Sequence, residues 1–233
     1  MRHASTPSSW TWQLPGINGL EAARRIKESG AADYIIKPFH LPIVKARVRT
    51  HLELKRKTDL LEALAARDGL TGLPNRRAFD ERLEHEWRRA RRGGTTLGLL
   101  MLDVDEFKRN NDHNGHRAGD DCLRAVGARI TGALQRAGDF AARWGGEEFV
   151  VLLPGADAEE ILAVGERIRE DVERLAIPHA ESETTPLVTI SLGATLCRPR
   201  KGDNPQACVE AADRLLYRAK LEGRNRLCGP SGR

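Results

Sequence analysis

The feature that most constrains this chain is a short apolar run, Leu97-Gly98-Leu99-Leu100-Met101-Leu102, that stops abruptly at Asp103-Val104-Asp105. It is far shorter than the ~20 residues of a membrane-crossing helix. It reads instead as a strand buried on both faces. Two carboxylates at the exit of such a strand repel each other unless water or a cation reaches them. Side chains two apart on a strand share a face, so Asp103 and Asp105 are expected side by side. All-oxygen ligation of this kind suits Mg²⁺ or Mn²⁺, with backbone carbonyls and phosphate oxygens completing the shell. From this segment alone, a solvated strand end without a metal remains open.

Around this strand the pattern alternates between helix and strand. Helices are expected at Arg76–Arg91, His116–Leu134, Ala158–Leu175 and Gln206–Leu221. Strands are expected at Thr96–Val104, Phe140–Arg143, Phe149–Leu153 and Leu187–Leu196, with a last short one near Arg226–Cys228. This order predicts an α/β (α+β) domain built on one sheet. The glycines and proline of Asp68-Gly69-Leu70-Thr71-Gly72-Leu73-Pro74-Asn75 mark its start. Before them, Val44, Val48, Leu52, Leu54, Leu61 and Leu64 give residues 41–67 a helical spacing. That helix reads as a connector able to pair with its copy in a dimer, or as an amphipathic helix packed on its own domain.

Composition narrows the function classes. The 38 Lys and Arg against 33 Asp and Glu give a net charge of +5, but the basic residues are interleaved with acids. Few aromatics are present to stack bases, which disfavours a nucleic-acid partner and leaves a phosphate-bearing small ligand compatible. The first 30 residues lack the basic-then-apolar pattern of a signal peptide, and no membrane partner is expected. Cys122, Cys197, Cys208 and Cys228 lie apart without CxxC pairs. This argues against zinc and a disulfide scaffold, and suits a reducing, cytoplasmic setting.

Two further segments carry chemistry. In Arg143-Trp144-Gly145-Gly146-Glu147-Glu148-Phe149 the paired glycines predict a hairpin turn with Glu147 and Glu148 at its tip. If this hairpin lies beside the first strand, its acids converge with Asp103 as nucleotidyl transfer requires. In Tyr217–Arg226, Lys220 and Arg224 end a helix and enter a turn. They suit either the negative end of the helix dipole or a phosphate, with Lys108 as a third cation.

The stretch from Asp68 to Arg226 resembles a diguanylate cyclase domain of the GGDEF family, with the signature here as Gly145-Gly146-Glu147-Glu148-Phe149. The lead-in DGLTGLPNRRAF, the segment LDVDEFKRNNDHNGHRAGD and the closing YRAKLEGRNR agree in order and spacing. The resemblance implies a polymerase-palm-like fold for residues 68–233, and Mg²⁺-dependent condensation of two GTP into cyclic di-GMP and pyrophosphate. It implies that Asp103, the carbonyl of Val104 and Glu147 hold the metal, with Glu148 beside them. Glu147 is also the implied proton acceptor for the 3′-hydroxyl. Asn111 and Asp120 are implied to bind guanine, and Lys108, Lys220 and Arg224 to bind phosphates, with Phe107 and Gly146 also at the substrate. Asp112 and His116 match the motif too, His116 in a structural role. Because each domain binds one GTP, the resemblance implies a homodimer.

Arg136-Ala137-Gly138-Asp139 is an RxxD in the register of the family's product-inhibition site, with Arg167 as a further member. At the front, Leu14–Glu21 and Ala32–Phe39 resemble pieces of a response-regulator receiver, giving residues 1–40 as a partial receiver-like fragment. Thr11 stands where the phosphoacceptor Asp belongs, so Lys37 reads as a relic. The alternative to a cyclase is an inactive module that binds GTP or cyclic di-GMP. A transcription factor is disfavoured by the lack of a recognisable helix-turn-helix.

Overall fold

The computed structural model describes residues 45, 48–55, 66–182 and 184–230. The chain divides into two units, Met1–Leu60 and Leu61–Arg233. In the first, residues 48–55 are helical, with Val48, Leu52 and Leu54 exposed and an Arg49–Glu53 ion pair one turn apart. The receiver-like fragment, with Thr11 and Lys37, and most of the expected connector lie outside the described residues.

The second unit runs α1 (Arg76–Gly93), β1 (Leu97–Val104), α2 (Phe107–Asn114), α3 (His116–Ala133), β2 (Phe140–Gly145), β3 (Glu148–Pro154), α4 (Ala158–Glu173), β4 (Ile190–Cys197), α5 (Pro205–Leu221) and β5 (Leu227–Cys228). The strands form one sheet in the order β2-β3-β1-β4-β5. β1 is antiparallel to both β3 and β4, and β5 joins β4 in parallel. Every residue of β1 is buried, as its unbroken apolar run predicts. Leu97, Leu99 and Met101 face one core with Phe79, Leu83 and Trp87 of α1 and Val209, Ala212 and Leu216 of α5. Leu100, Leu102 and Val104 face the other, with Val126 and Ile130 of α3 and Ile161 and Ile168 of α4.

The helices start where local chemistry allows. Asn75 caps α1 by accepting from the Ala78 N–H, and Asn204 caps α5 ahead of Pro205. α4 opens with a capping box between Asp157 and Glu160. α5 lies so close to β4 that a Cβ on Gly193 would stand 2.1 Å from the Ala212 carbonyl oxygen and 2.2 Å from the Leu216 nitrogen.

The structure adds one element and corrects two expectations. The polar segment Phe107–Asn114 is a separate helix, ended by Gly115 at φ 81°. β4 begins at Ile190 rather than Leu187, because Leu187 makes only an isolated bridge to Pro178. The cysteines are not all single thiols: Cys197 and Cys208 are joined in a disulfide. The antiparallel return of β4 brings its end beside the start of α5, with the two Cα atoms 6.2 Å apart, a proximity that sequence spacing does not reveal.

Candidate active site

The β1–β3 register sets Asp103 directly opposite Glu148. The Val104 N–H donates to the Glu147 carbonyl at 3.3 Å, which fastens the signature turn to the end of β1. Asp103 lies on the same strand face as Met101, the face toward α5, and its carboxylate meets the Lys220 ammonium at 2.8 Å. Burial pushes the Asp103 carboxyl up to about 6, with Lys220 opposing and Glu147 and Glu148 adding to the rise. Burial also raises Glu148, assisted by Asp213 and Glu147 against Lys220 and Arg76. Asp103, Glu147 and Glu148 therefore share one negative field. Among the described residues, however, no three acidic, His or Cys side chains form a closed metal cage. An ion here would complete its shell with carbonyl, water and substrate oxygens, which is the habit of Mg²⁺.

The signature turn is held from below. Gly146 adopts φ 54°, a left-handed conformation that glycine takes without strain. Its carbonyl accepts from Arg143 Nε at 2.9 Å and Nη2 at 2.6 Å. The remaining arm of that guanidinium, Nη1, bonds both carboxylate oxygens of Asp68, at 2.9 and 3.1 Å. Asp68 also accepts from the Thr71 N–H and hydroxyl. One arginine thus ties the domain's first turn to its signature loop. Trp144 adds a second tie, edge-on against Phe79 and beneath the Arg76 guanidinium at 4.1 Å. The motif segments contained these residues, but their roles emerge only when the lead-in and hairpin are folded together.

Asp105 does not join Asp103. β1 ends at Val104, so Asp105 enters a turn and the strand rule no longer applies. Its carboxylate accepts from Thr189 Oγ1 at 2.8 Å, Ser191 Oγ at 2.6 Å and the Asn225 N–H at 3.1 Å. These bonds use the buried carboxylate internally and anchor the turn that carries Arg224. In that turn Arg224 and Asn225 both have positive φ, and Arg224 lies 3.8 Å from Glu106.

The α2–α3 wall carries the residues assigned to the base. Gly119 lies so near α2 that a Cβ there would stand 1.7 Å from Asn111 Oδ1 and 3.1 Å from Phe107 Cζ. Asp120 follows on the exposed side of α3. Asn111 Oδ1 is buried without a hydrogen-bond partner, an acceptor suited to a ligand N–H. Phe107 is buried at the start of α2, whereas Lys108, Asp112 and His116 are exposed.

Arg136 and Asp139 close a turn on themselves. The Asp139 carboxylate accepts from the Arg136 N–H, and the Asp139 N–H donates to the Arg136 carbonyl. Arg82 reaches across from α1 to the Gly138 carbonyl at 3.4 Å. Arg136 itself grips Glu160 of α4 with both terminal nitrogens. Sequence reasoning missed Glu160, although its place in a capping box was legible from the Asp-x-x-Glu spacing. Arg167 lies on α4, with its Nε buried and unpartnered. A cavity of about 520 Å³ lies nearby, lined in part by Thr71, Leu73, Arg124, Asp139 and Phe140, and touches none of the acids at the end of β1.

Comparison with known proteins shows the family. Residues 65–226 match the family described as diguanylate cyclase, GGDEF domain. The chain is 38% identical over 231 residues to the response regulator PleD of Caulobacter vibrioides, covering 94% of this chain and 50% of that protein. It is 44% identical over 179 residues to the diguanylate cyclase DgcP of Pseudomonas aeruginosa, covering 76% of this chain and 25% of that one. The chain thus spans half or less of the length of these relatives. Among solved structures, the coiled coil and GGDEF domain of DgcB from Caulobacter crescentus, in complex with c-di-GMP, is similar with a TM-score of 0.66 and 33% identity. That match covers 91% of this chain and all of that one (100%). The active GGEEF domain of a diguanylate cyclase from Vibrio cholerae is similar with a TM-score of 0.59 and 30% identity, over 69% of this chain and 99% of that one. Through residues 65–226, the chain belongs to the GGDEF diguanylate cyclase family.

Proposed function

We propose that the chain is a diguanylate cyclase, condensing two GTP into one cyclic di-GMP and two pyrophosphates. The observation that carries this reading is the joining of Asp103, Glu147 and Glu148 in one negative field beside Lys220 at the end of β1. The donors fit a hard divalent cation: they are oxygens throughout, and buried Asp103 already draws in a side-chain ammonium. Asp103, the Val104 carbonyl and Glu147 would hold Mg²⁺ or Mn²⁺, which when bound neutralises triphosphate charge and assists the nucleophile.

The chain's own residues account for the rest. Asn111 and Asp120 accept hydrogen bonds from guanine, whose edge offers adjacent N–H donors. Phe107 and Gly146 shape the same pocket. Lys108, Lys220 and Arg224 meet the phosphates, and Arg224 is held in place through the Asn225–Asp105 bond. Glu147 takes the proton from the 3′-hydroxyl of one GTP as its oxygen bonds to the α-phosphorus of the other. The bond to the β-phosphate breaks, and pyrophosphate leaves with that electron pair. Repeating the step in the opposite sense closes the ring.

Each domain holds one GTP, so two copies must face each other and a homodimer is part of the mechanism. Exposed Val48 and Leu52, one helical turn apart, support a second copy packing on the connector. Cyclic di-GMP returns as an inhibitor at Arg136, Asp139 and Arg167. The alignment to a response regulator covers 94% of the chain and so must enter the first 40 residues, which supports their reading as receiver-like. Among the described residues no helix is long and apolar enough to cross a membrane.

Incubation with GTP and Mg²⁺ tests the reading. The chain should form cyclic di-GMP, and Glu147→Ala should form none while keeping its circular dichroism spectrum. A chain that binds cyclic di-GMP yet makes none under these conditions is a binding module instead.

A further inference from the structure

We infer that Glu160 is a built-in competitor at the Arg136–Asp139 site and sets how tightly that site takes its ligand. This rests on the reading of that turn as the product site. Both terminal nitrogens of Arg136 are engaged by the Glu160 carboxylate, Nη1 to Oε2 at 3.2 Å and Nη2 to Oε1. An arginine fork uses the same paired donors to grip a phosphate or the acceptor edge of a guanine. Ligand and Glu160 therefore cannot occupy the fork together, and the carboxylate also repels an incoming phosphate.

Release of Arg136 does not strand Glu160. Its Oε2 accepts from the Asp157 N–H at 3.2 Å, while its own N–H donates to Asp157 Oδ1 at 2.9 Å. When a ligand takes the fork, Glu160 falls back on this capping box, so displacement costs an ion pair and leaves the helix start intact. Seven residues further along the same helix, and so on the same face, Arg167 keeps a buried Nε without a partner. One cation of the site is masked and the other is not. The pair is half-exposed, at 53% for Arg136 and 38% for Glu160, so solvent screens it and its grip is weak. Removing the competitor should therefore tighten binding about twofold to fivefold.

The test is calorimetric titration of cyclic di-GMP into the full chain and three variants. Glu160→Gln keeps the capping box, since glutamine serves at that position, but withdraws the charge. Asp157→Asn removes a nearby negative charge while leaving both the cap and the fork. The expected result is that Glu160→Gln binds twofold to fivefold more tightly, Asp157→Asn changes little, and Arg136→Ala loses at least tenfold. If Glu160→Gln binds no more tightly, or Asp157→Asn tightens equally, while Arg136→Ala still loses affinity, the competitor is refuted and the product site stands. If the wild-type chain does not bind, or Arg136→Ala binds like wild type, the product-site reading fails and the competitor with it.

Discussion

The ammonium of Lys220, near the end of α5, lies 2.8 Å from the carboxylate of Asp103, the penultimate residue of β1. A basic helix end thus meets an acid near the end of the central strand, at the position proposed above for the metal. The Asp103 carboxyl is still pushed up to about 6 from its ordinary 3.8, because burial outweighs the lysine. The native state therefore holds this proton more firmly than the unfolded chain. Its stabilising effect is complete below about pH 4, declines as pH rises toward 6, and is absent above that. Asp103→Asn carries no such titration. Denaturant unfolding without divalent cations should show the variant gaining stability relative to wild type by about 2 kcal/mol between about pH 4 and pH 8. A constant difference would contradict the assignment.

Asp68 behaves oppositely. Burial alone would raise its carboxyl, but bonds from Thr71 and Arg143 outweigh it and hold the group below its ordinary value. Its stabilisation is present above about pH 4 and is lost as pH falls through the lowered native value. Asp68→Asn should flatten the loss of stability between about pH 5 and pH 2. Arg143→Ala should do the same and, by freeing the Gly146 carbonyl, cut the turnover of GTP at least tenfold. Unchanged turnover would show that the signature turn does not depend on this tie.

Gly119→Ala should separate substrate binding from folding. The new Cβ would overlap Asn111 Oδ1, the far end of a side chain that can rotate away. The helix itself gains about 1 kcal/mol from losing a glycine. The expected outcome is an unchanged or higher melting temperature together with a KM for GTP raised about tenfold. An unchanged KM would remove Asn111 from the guanine site.

Gly193→Ala should act on the fold. Here the Cβ would meet the backbone of α5 at Ala212 and Leu216 rather than a movable side chain. Loss of about 3 kcal/mol or more in denaturant unfolding is expected. A neutral effect would mean that α5 can lift from β4.

Much of the catalytic half was legible from sequence because its signals are local. An apolar run ending in acids, paired glycines before glutamates and caps at helix starts all act within a few residues. The fate of Asp105 was not legible: where β1 ends depends on Thr189, Ser191 and Asn225, far along the chain. The Asp68–Arg143 tie, the Cys197–Cys208 bond and the Arg136–Glu160 grip were hidden for the same reason. Each joins residues of different elements that only the folded chain brings together. The short polar helix α2 was missed because its eight residues show too little apolar periodicity to announce a helix.

The most direct measurement follows product formed per chain as the chain is diluted, with GTP and Mg²⁺ saturating. In the proposed mechanism two chains meet for each cyclic di-GMP made, so the specific activity should fall in proportion to concentration below the dimer's dissociation constant, with cyclic di-GMP as the chromatographed product. No cyclic di-GMP at any concentration, from chains that bind GTP and self-associate, would contradict the account.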